Sequence, residues 1–426
     1  MLLAAIALIP MPQIALVPLD RYLSARDDSF RVGPAKLEGA VLRADFTSQT
    51  WQGIAWRHRL TIVQPRERAA SGTAILIVTG DLAARDEPEA RRLADLSGLP
   101  VVTLFDVPNQ PLWGKSEDAL IAHTFVKWFE TQDDSWPLLF PMTKSALRAM
   151  DVAQSLTGEG PNPIQRFVVT GASKRGWTTW LVGAARDKRV IGIAPQVFDF
   201  LNFGAQLEHQ KRSFGGYSEM LGDYTEQELQ ETASSPEGQK LIGMVDPFAY
   251  RSRITLPKLI ITGANDQYWT VDATRLYWDA LSGPKWALAV PNAGHGLGDG
   301  KQAEATLAEF ARALATGEAL PTLELKQGMS WSSGGTLLKL HWKASERPIR
   351  IVLHRAQTEP ERKSLDFRSR TWSPLIEKEP DGTSGELTAT HSSFQNAAFI
   401  LEAVFERKGR RFSVTAPALV SSGGNL

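Results

Sequence analysis

The sequence predicts an α/β protein: a doubly wound, mostly parallel sheet followed by a smaller antiparallel β-sandwich. Three observations carry this. Six short, continuously apolar runs alternate with stretches of helical apolar spacing, the mark of strands buried on both faces. Two longer segments with period-two alternation precede them. Past Glu318 the helical stretches stop and short alternating strands take over, separated by Gly, Pro, Ser or Asp.

Taken in order, the alternating pair is Ala40–Ser48 and Trp51–Val63, where Ile54, Trp56, His58, Leu60 and Ile62 share one face. A turn at Ala70-Ser71-Gly72 leads to the apolar runs Ala74–Val78, Pro100–Phe105, Phe167–Thr170, Val190–Ala194, Leu259–Thr262 and Ala287–Val290. Helices are expected over Glu117–Phe129, Pro141–Leu156, Lys174–Arg186, Ala273–Leu281 and Gln302–Thr316. From Pro321 the segments LELKQ, TLLKLHW, IRIVLHR, GELTATH, AFILEAVF and FSVTAP read as sandwich strands. The domain expectation is a main domain over 19–318 with a lid-like insertion at 199–250, then a separately folded sandwich over 320–426. A chain ending near residue 320 would on that reading keep its site, since intra-chain interfaces are often modest.

Composition narrows the partners. The 426 residues are 43% hydrophobic and 22% charged, an ordinary globular balance. Lys plus Arg and Asp plus Glu are both 47, so no net charge argues for nucleic acid or an anionic membrane. Cysteine is absent, which excludes disulfides, thiolate catalysis and cysteine-ligated zinc. Nothing else in the pattern asks for a metal or a cofactor. The first eighteen residues are uncharged and apolar, with Pro10 and Pro12 inside them. They read as an export signal lacking its basic start, or as an arm packed on the main domain. The prolines prevent a membrane-spanning helix there, and no other segment has the length for one.

The chemistry concentrates at the ends of three runs. Phe167–Thr170 enters Gly171-Ala172-Ser173-Lys174-Arg175-Gly176 and then a helix. A sharp strand-to-helix turn of this kind lifts a serine hydroxyl above the sheet edge. The usual form is G-x-S-x-G; here Arg175 replaces the second glycine and Gly176 follows one residue later. Leu259–Thr262 ends in Gly263-Ala264-Asn265-Asp266, and Ala287–Val290 in Pro291-Asn292-Ala293-Gly294-His295. Serine, acid and histidine after successive strands is the chain order of α/β-hydrolases. A serine hydroxyl is a weak nucleophile until a base takes its proton, and a carboxylate holds that base in the productive tautomer. Ser173, Asp266 and His295 are therefore the expected nucleophile, acid and base. Asp199 and Asp272 are rival acids, Asp272 read first as a helix cap.

An oxyanion hole would draw on the backbone N–H of Lys174 and on Gly80 or Asp81, in the loop after Ala74–Val78. Lys174 and Arg175 either favour an acidic substrate or pair with nearby carboxylates. Trp113, Arg175, Trp177, Tyr268 and Trp269 are candidate substrate-binding residues, and the aromatic-rich 198–250 stretch a candidate lid. His341 and His354, inside apparent strands, are read as structural, and His391 lies in the same region, which is expected to supply no triad member.

Longer blocks add to this. LDRYLSARDDSF, SEDALIAHTFVKWFE, WPLLFPMTKSALRAMD, VVTGASKRGWTTWLVGAARDKRV, VDPFAYRSRITLPKLIITGANDQYW and VPNAGHGL resemble segments of the PhoPQ-activated pathogenicity-related protein family, over roughly residues 19–316. The resemblance implies an α/β-hydrolase fold, serine-hydrolase machinery at Ser173, Asp266 and His295, an exported location and a β-rich C-terminal extension. It names no substrate. Expected is a serine hydrolase cleaving an ester or amide of a small molecule or polymer end through an acyl-enzyme. One alternative is a carbohydrate esterase, since glucuronoyl esterases look similar in placing a basic residue after the nucleophile. The other is a secreted binding or signalling protein on the same scaffold.

Overall fold

The computed structural model describes residues 17–69, 71–332, 335–359, 364–392 and 395–422. The apolar N-terminal stretch up to residue 16, and Ala70 of the expected turn, lie outside the described residues.

The first two long strands of the core sheet are β1 (Val41–Trp51) and β2 (Ile54–Val63), joined at Gln52-Gly53. Both linking residues have positive φ, 48° and 75°, as a two-residue hairpin turn compatible with strand twist demands. The apolar runs become β3 (Thr73–Val78), β4 (Val101–Leu104), β5 (Arg166–Ala172), β6 (Val190–Gln196), β7 (Lys258–Gly263) and β8 (Lys285–Val290). The order is β1-β2-β4-β3-β5-β6-β7-β8, antiparallel through β2–β4 and parallel from there on. A chain that winds outward from β3 in both directions brings the ends of β5, β7 and β8 to one edge.

The longer helices are α1 (Asp86–Ser97), α2 (Glu117–Thr131), α3 (Leu139–Thr157), α4 (Lys174–Ala184), α5 (Phe203–Phe214), α6 (Pro236–Val245) and α7 (Lys301–Thr316). Successive strand residues point to opposite faces. Phe167 and Val169 join one buried layer with Trp128, Phe140 and Trp180, while Val168 joins the other with Leu93, Leu307 and Phe310. Helices cover both faces, so strands such as β7 are buried throughout. The expected helix over Ala273–Leu281 is instead two short 3₁₀ turns, Ala273–Leu276 and Trp278–Ala280. Tyr277 between them is extended in φ (−140°), and its hydroxyl is drawn inward to Asp199.

The C-terminal part is antiparallel, as expected, but its packing differs from a separately folded unit. Strands β9 (Leu323–Ser332), β10 (Gly335–Ala344) and β13 (Ser384–His391) form a three-stranded sheet. Strands β11 (Arg350–Gln357), β12 (Ser373–Lys378), β14 (Ala397–Arg407), β15 (Arg410–Thr415) and β16 (Leu419–Ser421) extend the core sheet itself. The join is β15 against β8, at Ala287 and Thr415. Leu340 and Trp342 of one sheet and Leu353 and Leu401 of the other share a buried cluster with Phe310 of α7. Buried polar contacts cross as well: Thr306 Oγ1 donates to the Ser413 carbonyl at 3.0 Å, and Trp286 Nε1 to that of Pro321 at 2.8 Å. The exposed edge that β8 would otherwise present is covered.

Candidate active site

Strand β5 turns into α4 through Ser173, whose backbone sits at φ 58°, ψ −125°. A non-glycine residue there stores of order 1–3 kcal/mol and persists only where its surroundings hold it. They do so by close approach. A Cβ on Gly171 would lie 2.8 Å from the Arg175 carbonyl, and one on Gly176 2.6 Å from that of Gln196. Gly176 thus supplies the tight strand–helix approach, and Arg175 can occupy the site of the usual second glycine. The Ser173 amide donates to Gln196 O at 2.9 Å, and its side chain is half-buried.

Asp266 follows β7 and is 3% exposed; one of its oxygens accepts from the Tyr268 amide at 2.9 Å. His295 follows β8, and its Nδ1 meets the two Asp266 oxygens at 3.0 and 2.9 Å. A carboxylate only accepts, so Nδ1 carries the ring proton and Nε2 presents its lone pair. Among the described residues Nε2 is buried with no hydrogen-bond partner. The Tyr268 ring lies against the imidazole, centroids 4.3 Å apart. Tyr268 also lines the cavity that Ser173 opens into. No hydrogen bond joins Ser173 Oγ to His295 among the described residues. Asp199 is elsewhere: it accepts from Thr274 Oγ1 at 2.8 Å and from the Tyr277 hydroxyl, and burial pushes it up to about 7. Asp272 makes no side-chain cap and instead pairs with His209 Nε2 at 2.7 Å.

The two cations after the serine are matched by carboxylates that begin α2. Arg175 grips Glu117 with two bonds of 2.8 Å, and Lys174 Nζ lies 2.7 Å from Glu117 and 3.3 Å from Asp118. Burial alone would raise Glu117, but Arg175 and Lys174 outweigh it and hold the carboxyl at about 2. The pairing reading of Lys174 and Arg175 therefore describes the geometry. Arg175 also reaches the loop after β3, where a Cβ on Gly80 would meet its guanidinium at 2.5 Å. The amides of Gly80, Asp81 and Lys174 have no carbonyl partner among the described residues.

Trp177, Tyr268 and Trp269 line the cavity beside Ser173, together with residues of the 198–250 stretch. Trp113 does not: it is 45% exposed and packs on Trp51 and Trp136. Glu117, Asp118 and Tyr224 were not singled out from the sequence, because a Ser-Glu-Asp run before an apolar stretch reads simply as a helix start. Among the described residues no group of three or more His, Cys, Asp or Glu is placed to hold a metal, and no helix is long and apolar enough to cross a membrane.

This strand order, with a strained serine elbow after β5 and an acid and histidine after β7 and β8, defines an α/β-hydrolase-fold protein. The chain belongs to the PhoPQ-activated pathogenicity-related protein family, whose sequence model matches residues 34–368. It is 32% identical over 348 residues to autocrine proliferation repressor protein A of Dictyostelium discoideum, covering 75% of this chain and 70% of the relative. Among solved structures it is similar to acetyl xylan esterase 1 of Thermoanaerobacterium sp. JW/SL YS485 (15% identity, TM-score 0.48, 70% and 92% of the two chains). It is also similar to the acetyl xylan esterase of Paenibacillus sp. R4 (14%, 0.46, 68% and 90%).

Proposed function

We propose that the protein is a serine hydrolase that cleaves an ester or amide through an acyl-enzyme on Ser173. The observation that carries this is His295, fixed at Nδ1 by Asp266 and left with a buried, unpartnered Nε2 on the sheet edge that bears the Ser173 elbow. Nε2 takes the serine proton as Oγ attacks the carbonyl carbon, and Asp266 stabilises the imidazolium that forms. The amides of Lys174 and of Gly80 or Asp81 receive the oxyanion. The imidazolium then protonates the leaving group, and water, activated by the same Nε2, releases the acid. Lys174, held on Glu117 and Asp118, shapes this site more than it attracts an acidic substrate. Together with the apolar start of the chain, the family's name favours an exported location. The proliferation-repressor relative is the observation behind a second reading, a secreted signal on this scaffold. A fluorophosphonate probe separates them. Covalent labelling on the Ser173 peptide, lost in Ser173→Ala, is expected; a folded protein that does not label, or labels elsewhere, refutes the hydrolase reading.

A further inference from the structure

We infer that the cavity beside Ser173 is an acyl pocket for a straight or branched apolar acyl group of about four to six carbons, one larger than acetyl. This rests on the hydrolase reading and adds its substrate class. Ser173 and Lys174 are part of its lining, and most of the rest comes from the 198–250 stretch. Its volume is about 110 Å³. An apolar cavity of roughly 150 Å³ accepts benzene, so this one suits a short chain rather than a fatty tail.

The wall is built to be apolar. Trp177, one turn after Ser173 on α4, stacks on Phe198 with centroids 4.9 Å apart. Its indole N–H is spent on the Val245 carbonyl at 2.6 Å, and that of Trp269 on Val197 O at 3.1 Å, leaving carbon faces toward the space. The Tyr224 hydroxyl is likewise engaged, by Asp118 at 3.1 Å. Phe203 and Leu241 also line the wall. Besides Ser173 and Lys174, the polar exceptions are Asp118, paired with Lys174, Thr232, whose hydroxyl donates to the Leu229 carbonyl, and Gln230, whose Oε1 is buried without a partner among the described residues. A polar acyl substituent would lose its water here with almost nothing to replace it, whereas each methylene buried raises kcat/KM about fourfold.

The test is a series of 4-nitrophenyl esters (acetate, butyrate, hexanoate, dodecanoate) on the full chain, with fluorophosphonate labelling of Ser173 run beside it. Expected is a kcat/KM for butyrate about 15-fold above acetate, an optimum at butyrate or hexanoate, and a fall at dodecanoate. Labelling of Ser173 with acetate equal to or above butyrate, or with rates still rising at dodecanoate, overturns the pocket but not the hydrolase reading. Absence of labelling overturns the hydrolase reading and the pocket with it. Leu241→Trp narrows the cavity and should lower the hexanoate-to-acetate ratio at least tenfold. Should that variant lose labelling through misfolding, Ala233→Leu, also on the wall, makes the same measurement. An unchanged ratio in a labelled variant refutes the assignment.

Discussion

Removing the side chain of Asn265 tests whether the C-terminal strands hold the acid and histidine loops in place. Asn265 precedes Asp266, and its Nδ2 lies 3.2, 3.1 and 2.7 Å from the carbonyls of Phe367, Arg368 and Arg370. In the adjacent loop, Asn292 exchanges two bonds with the Trp372 backbone, at 2.8 and 2.7 Å. An amide has only two protons to give, so Asn265→Ala removes at most two bonds. Of the three carbonyls only that of Phe367 belongs to a buried residue; Arg368 and Arg370 are half-buried and can take water. A stranded buried acceptor costs about 1–3 kcal/mol, so the loss of stability should be about 2 kcal/mol. The larger effect should fall on turnover. A catalytic group displaced by about 1 Å can cost roughly 100-fold, and kcat on an activated ester should fall 10- to 100-fold with KM little changed. Urea denaturation and steady-state kinetics on the same preparation read both. Should Asn265→Ala keep its urea midpoint and a kcat within twofold of wild type, the clamp is not what positions Asp266.

The same clamp predicts that a chain ending near residue 320 will not retain Ser173 labelling. It would lose the partners of Asn265 and Asn292 and bare the edge of β8; a soluble, fully labelled truncation would show the sheet extension to be dispensable. Asp266→Asn should cut turnover by about 10⁴, while Asp272→Asn and Asp199→Asn should stay within a few-fold, because those carboxylates serve His209 and Tyr277. Comparable losses in all three would remove Asp266 from its role. His58 is fully buried, bonded to Ser48 Oγ and the Phe105 carbonyl, and burial pushes it down to about 4. The unfolded chain binds that proton first, so the stability is full above about 6.5 and lost as pH falls to about 4, about 3 kcal/mol in all. His58→Asn should flatten the urea midpoint across this window; an unchanged slope places the acid sensitivity elsewhere.

How much of this was legible in the sequence follows from how local each feature is. Burial on both faces writes itself as a continuous apolar run, so β3 to β8 could be read directly, and each of Ser173, Asp266 and His295 sits a few residues past such a run. The pairing of Asp266 rather than Asp199 or Asp272 with His295 was suggested by chain order, but the fates of the other two depend on distant groups. Asp199 is claimed by Thr274 and Tyr277, and that pull also breaks the expected helix over Ala273–Leu281 into two 3₁₀ turns. Apolar spacing alone cannot register a buried carboxylate 75 residues upstream of the residue it attracts. The partnership of Lys174 and Arg175 with Glu117 was open for the same reason: charge is visible in sequence, but its partner is not.

The sandwich shows where the domain reading went too far. Alternation specifies a half-buried strand and says nothing about which sheet it joins. Strands β14 and β15 read as sandwich strands, yet both are buried through most of their length, and β15 lies against β8 and continues the core. The edge strand of a doubly wound sheet offers unpaired N–H and C=O groups, and an antiparallel strand is the cheapest cover. Once β15 occupies that edge, the chain leading into β12 must pass over the ends of β7 and β8, where the acid and histidine loops emerge. Residues 367–372 make that passage, and Asn265 and Asn292 meet them there. The C-terminal extension therefore bears on the candidate site without giving it a reacting group: by covering an edge, it fixes the two loops that the edge carries.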